Sequence, residues 1–107
     1  MTTVVFSHGK ESGPKGRKIE VLAQVAKAHG FDVLVPDYRD LMGPQARIER
    51  LVGFARALPA APVLVGSSMG GYASLMASTQ LSCCAGLFLL APAIGLAGYP
   101  FADPARP

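Results

Sequence analysis

The chain has 107 residues, half of them hydrophobic and 16% charged, with a formal net charge of +3. That size and balance fit one globular domain and exclude both a charge-disordered segment and a disulfide-stapled scaffold. Its apolar runs are far shorter than the roughly 20 residues a membrane span needs, and no basic stretch leads into a long apolar one as in a secretory leader, so a cytoplasmic, non-membrane protein is expected. The cysteines Cys83 and Cys84 are adjacent, where a mutual bridge would be strained and would close almost no loop, so they read as reduced packing residues. Lys10, Lys15, Arg17 and Lys18 lie close together near the N-terminus and read as a solvated loop and helix face. With few aromatics and no interleaving of basic and aromatic residues, no nucleic-acid partner is expected.

In chain order, Thr2 to Phe6 is a β-branched and aromatic run that stops at Ser7-His8-Gly9, as a buried parallel strand ending in a turn would. Gly13, Pro14 and Gly16 break the chain, and Ile19, Leu22 and Ala26 then recur at helical spacing until Gly30 supplies a stop. Asp32 to Val35 is a second strand ended by Pro36. Gly43-Pro44 opens a second helix whose apolar stripe is Ile48, Leu51, Val52, Ala55 and Leu58. Val63 to Val65 is a third strand, Gly70 to Thr79 a third helix rich in small residues, and Gly86 to Leu90 a fourth strand. Residues 96–107, rich in Pro and Gly, read as loop or tail. The alternation predicts an α/β fold of three layers, with a parallel sheet of about four strands in the order 2-1-3-4, and no repeat or low-complexity stretch competes with it.

Between the third strand and the third helix stands Gly66-Ser67-Ser68-Met69-Gly70. A serine hydroxyl at a sharp strand-to-helix turn is thrust above the sheet where a substrate can reach it, and small residues on either side let the chain pass through the turn. Ser68, centred between Gly66 and Gly70, is the candidate nucleophile. In the order 2-1-3-4, strands one and three are neighbours whose following loops diverge and leave the crevice where such folds bind ligands. The amide of Met69, at a helix N-terminus, and an amide at Gly9 or Lys10 are placed to receive a developing oxyanion.

The run of strand, His-Gly loop, helix, strand, helix, strand, Gly-x-Ser-x-Gly, helix and strand resembles the central part of the α/β-hydrolase superfamily. Ser7-His8-Gly9-Lys10-Glu11-Ser12-Gly13-Pro14 resembles the oxyanion loop of its small, lidless esterase-like members. The likeness extends from residue 2 to about residue 95. It implies an ester or related acyl substrate, an acyl-enzyme at Ser68, Met69 as one oxyanion donor and Lys10 or Gly9 as the other, with neither cofactor nor metal.

The superfamily places an acid and then a histidine after its nucleophile. Here Asp103 is the one acid downstream, and no histidine follows it. His29 ends a helix about 21 Å long and falls at the opposite edge of the sheet. His8, one strand from Ser68 at about 5 Å, is the remaining candidate base, although in related folds this histidine shapes the loop. Asp37, two strands away at about 10 Å, reads as ordering its own turn with Tyr38 and Arg39. The expectation is the N-terminal part of a serine hydrolase, shortened after its fourth strand and missing its acid and histidine.

The alternative is a non-catalytic interaction module that self-associates through the strand edge at 86–90. A nucleotide-binding module fits poorly. Lys10 is followed by Glu11 instead of Ser or Thr, and Ser68 stands where a dinucleotide fingerprint has its second glycine.

Overall fold

The computed structural model describes residues 2–9, 13–41 and 43–90. Strands and helices alternate as β1 (Thr3–Ser7), α1 (Arg17–Ala28), β2 (Asp32–Leu34), α2 (Pro44–Arg56), β3 (Val63–Ser67), α3 (Met69–Gln80) and β4 (Gly86–Leu90). Every element expected from sequence is present, with adjusted ends. β3 continues to Ser67 and α3 begins at Met69, so Ser68 alone makes the turn between them. α2 stops at Arg56, ahead of Pro59, yet Leu58 still packs against the core beyond the helix end.

The strands pair in parallel in the order β2-β1-β3-β4, as the alternation predicts. Alternate side chains face opposite ways, and this divides the core in two. Val5 and Leu64 meet Ile48, Leu51 and Val52 of α2 and Tyr72 and Ala73 of α3 on one side. Val4, Phe6 and Val65 meet Ile19 and Ala23 of α1 on the other.

The helices differ in how they are buried. α1 is an amphipathic surface helix that buries only Ile19 and Ala23. α3 is buried without a break from Met69 to Leu75. A helix apolar all round belongs inside a fold, and Gly70, Gly71, Ala73 and Ala77 are small enough for α3 to lie close to both the sheet and α2.

Register sets what meets at the carboxyl edge of the sheet. Ser7 lies beside Gly66, and Ser67 beside Leu90, so the turns that follow β1 and β3 emerge next to each other where the strand order reverses.

On its own side of the sheet, α1 packs over β1 and β2. The same face of β3 and β4 forms an apolar groove of about 490 Å³ lined by residues that include Val25, Val65, Phe88 and Leu90. Phe88 is 62% exposed and Leu90 36%. Among the described residues β4 pairs only with β3, so its outer edge is unpaired. No helix among the described residues is long and apolar enough to cross a membrane. Cys83 and Cys84 are free thiols.

Candidate functional site

Among the described residues, Ser68 is the one non-glycine residue with a positive φ (φ 54°, ψ −120°). An L-residue held there costs about 1–3 kcal/mol and persists only where its surroundings over-determine it. They do so on both sides. The Ser68 amide donates to the Leu90 carbonyl at the end of β4 (3.0 Å), and the Ser68 carbonyl accepts from the Tyr72 amide in the first turn of α3 (3.1 Å).

A serine at the N-cap usually turns its hydroxyl onto an amide two or three residues ahead. Ser68 makes no such bond and is exposed, so its hydroxyl is not spent on the helix. Met69 follows as the first residue of α3, a position whose N–H has no intrahelical acceptor.

The flanking glycines leave no choice of residue. A Cβ on Gly66 would run into the Gly70 carbonyl and the Gly71 Cα, and a Cβ on Gly70 would run into the carbonyls of Ser7 and His8. The contact at Gly66 lets α3 fold back over the end of β3. The contact at Gly70 seats the start of α3 directly on the loop after β1, which brings Ser68 and the His8-Gly9 segment into one neighbourhood.

That loop is held from below by buried polar groups. Ser7, His8 and Arg47 are 0%, 0% and 2% exposed, and Tyr38 is 0% exposed. Ser7 Oγ and Tyr38 Oη share a hydrogen bond of 2.9 Å. His8 Nδ1 lies 2.8 Å from the Gly9 carbonyl, which can only accept, so Nδ1 carries the proton. Nε2 is then the acceptor for the Tyr38 amide, at 2.9 Å. Burial lowers the His8 pKa, outweighing the bond to Gly9, and keeps the ring neutral.

With both nitrogens engaged by backbone, His8 has no lone pair to offer Ser68. The expectation of His8 as base is corrected to that of a loop-shaping residue. Arg47 completes the support. Its Nη1 donates to the His8 carbonyl at 2.5 Å and its Nη2 to the Gly9 carbonyl at 3.2 Å, while its guanidinium lies 5.1 Å from the Tyr38 ring centroid.

The remaining candidates separate. Gly9 is buried in this loop, whereas Lys10 and Asp103 lie outside the described residues. His29 caps α1, with Nδ1 donating to the Val25 carbonyl (2.9 Å), next to the start of β2 and hence at the amino edge of the sheet. Asp37 does order its own turn. It accepts from the Arg39 amide (2.9 Å) and from the Arg39 guanidinium (2.6–3.1 Å), and that pairing holds its carboxyl well below the usual range. Tyr38 does not join that turn but enters the core. No group of three or more His, Cys, Asp or Glu residues able to hold a metal occurs among the described residues.

Sequence reasoning missed Arg47 and placed Tyr38 in the Asp37 turn instead of the core. The signal for Arg47 was its spacing: it stands four residues ahead of Leu51 and eight ahead of Ala55, on the buried stripe of α2.

A four-stranded parallel sheet with a Gly-x-Ser-x-Gly corner at the carboxyl end of an inner strand is the architecture of α/β hydrolases. Residues 4–107 match the Alpha/beta hydrolase family, and the chain belongs to it. It is also similar to a protein from Xanthomonas campestris pv. campestris whose crystal structure is assigned to the alpha/beta superfamily of hydrolases. The sequences are 33% identical and the TM-score is 0.90, over 98% of this chain and 66% of the other, so the chain spans just under two thirds of that relative's length. No curated protein matches the chain.

Two measurements test the site as built. Replacing Ser68 by Gly removes the strain of the positive φ, so urea unfolding of Ser68→Gly should show a gain of about 1 kcal/mol, while Ser68→Ala should show none. Burial pushes the Tyr38 hydroxyl up to about 12 from 10.0. The unfolded phenol therefore ionises first, and the stability in question is full below pH 10 and lost as pH rises to 12. The loss should be about 3 kcal/mol. Subtracting the pH profile of Tyr38→Phe isolates this from Tyr72, which burial also raises.

Proposed function

We propose that the chain is part of a serine hydrolase in which Ser68 attacks an ester or related acyl carbonyl and carries the acyl group before water releases it. The observation that carries this reading is the exposed Ser68 at φ 54°, its hydroxyl unspent, between two glycines that admit no side chain. Attack by Oγ on a carbonyl carbon moves charge to the carbonyl oxygen. The Met69 N–H at the start of α3 and the Gly9 N–H, with Lys10 as the other candidate, are the donors for that charge, and losing one such donor typically costs about 100- to 1,000-fold in rate.

A histidine must take the Oγ proton and return it to the leaving group, with an acid orienting it. His8 is committed to backbone and His29 sits at the other edge of the sheet. These are the two histidines of the sequence, so we assign the base to a part of the protein beyond these 107 residues. Without a base, the acceleration left over from oxyanion binding is about 10³- to 10⁴-fold over water.

The test is labelling with a fluorophosphonate probe beside p-nitrophenyl acetate hydrolysis. The 107-residue chain, lacking its base, should take the probe at Ser68 only slowly, lose that labelling in Ser68→Ala, and turn over ester no faster than that residual level. Labelling unchanged in Ser68→Ala would remove Ser68 as nucleophile. Efficient turnover that disappears in Ser68→Ala would overturn the assignment of the base to residues outside.

A second reading, self-association, is favoured by the apolar groove and the edge of β4, which among the described residues are left uncovered and unpaired. In sedimentation velocity the chain should form dimers or larger species that Phe88→Lys shifts toward monomer. A monomer at about 100 μM, unchanged by Phe88→Lys, would discard this reading.

A further inference from the structure

The basic residues near the N-terminus divide between two pockets. Arg17 and Lys18 lead α1 and line one of them beside Leu90. Lys15 lines the other, a cavity of about 420 Å³ that it shares with Gly13, Pro14, Gly16 and Arg39. This second cavity joins two loops. Gly13 to Gly16 follow β1 and Arg39 follows β2, so it opens at the carboxyl edge of the sheet, the edge at which β3 delivers Ser68. With neighbouring strands about 5 Å apart, it stands about 5–10 Å across the sheet from Ser68.

Both cations of the cavity have donors left over. Asp37 takes Nε and Nη2 of Arg39 and so fixes the plane of the guanidinium. The same side chain lies against Gly13, where a Cβ would stand 3.1 Å from Arg39 Cδ and 3.6 Å from Arg39 Nη1. Among the described residues Nη1 has no acceptor, and Lys15 enters no hydrogen bond or ion pair. Two positive groups at one concave surface make a field that attracts an anion from solution. The guanidinium supplies directed donors to it, and the ammonium adds charge without demanding a fixed geometry.

We propose that this pocket takes the anionic end of the substrate, so that Ser68 acts on an ester whose acyl chain carries a carboxylate or phosphate at its far end. The proposal rests on the acyl-transfer reading above, but the binding of an anion in the pocket can be measured without it.

Two measurements on the 107-residue chain test it. In the first, succinate and inorganic phosphate are titrated separately at an ionic strength held constant with NaCl, and amide shifts are followed by NMR. The amides of Lys15, Gly16 and Arg39 should shift saturably with a Kd of about 1–10 mM, and the tighter of the two anions identifies the end group. Lys15→Gln and Arg39→Gln should each weaken binding about 5-fold, the effect of one unit charge across about 4 Å of water. Asp37→Asn, which removes the competing carboxylate from Arg39, should tighten it by a similar factor.

In the second, the slow acylation of Ser68 is timed by mass spectrometry with p-nitrophenyl butyrate and with the p-nitrophenyl half-ester of suberic acid, whose free carboxylate ends the acyl chain. The rate with the half-ester relative to butyrate should fall about 5-fold in Lys15→Gln and in Arg39→Gln, and rise in Asp37→Asn. Shifts that grow without saturating, or binding that all three substitutions leave unchanged, would overturn the pocket as an anion site. Saturable binding with a rate ratio that none of them moves would overturn its link to the substrate. If Ser68 takes no acyl group from either ester, the acyl-transfer reading fails and the substrate claim falls with it, while the titration still decides whether the pocket holds an anion.

Discussion

A helix can follow a parallel strand through a one-residue turn only if its first turn is allowed to lie against the strand it has just left and against the loop next door. In this chain that contact is backbone against backbone. Gly66 faces the Gly70 carbonyl, and Gly70 faces the carbonyls of Ser7 and His8, with no room for a Cβ at either position. The close approach forces the turn into one residue, and that residue, Ser68, takes a backbone conformation that a serine would otherwise avoid. The same approach buries α3 from Met69 to Leu75 and sets its N-terminus beside the end of β1. The exposed hydroxyl and the helix N-terminus beside it are thus two results of one steric constraint.

The second constraint is electrostatic and comes from α2. Two of its arginines, one turn apart, reach different loops. Arg47, buried, holds the carbonyls of His8 and Gly9 after β1. Arg50, nearer the surface, bonds the Asp37 carbonyl (2.8 Å) and pairs with the Asp40 carboxylate (2.7 and 2.9 Å) after β2. An exposed pair of the second kind contributes little, whereas a buried charge bonded to backbone is costly to disturb. The loop nearest Ser68 is therefore the more firmly held of the two.

The fold was legible because each element carried its own periodicity and its own stop. Gly30 ended one helix, Pro59 another, and the apolar runs Val4-Val5-Phe6 and Val63-Leu64-Val65 marked inner strands buried on both faces. The corner at Ser68 was legible because its glycines sit at fixed offsets from the serine. What sequence could not reveal was the partner of each polar group. Asp37, Tyr38 and Arg39 look like one turn, yet Tyr38 leaves that turn to bond Ser7, 31 residues away, while Asp37 and Arg39 pair at the surface. His8 looked available beside Ser68 because strand spacing fixes distance and says nothing of which way a ring faces. Arg47 was hidden by its charge, since a cation on an apolar stripe is normally read as a boundary of that stripe.

The central claim is that the Gly66–Gly70 corner presents Ser68 to an acyl carbonyl, with the charge received by neighbouring amides. A crystal structure of the chain bearing a phosphonate tests it most directly, because the phosphoryl oxygen stands in for the oxyanion of the attacked carbonyl. The account predicts phosphorus bonded to Ser68 Oγ, Ser68 still at positive φ, and the phosphoryl oxygen about 2.7–3.1 Å from the amide of Met69 and from that of Gly9 or Lys10. An adduct on another residue, or a phosphoryl oxygen turned to solvent with Ser68 relaxed to negative φ, would contradict it.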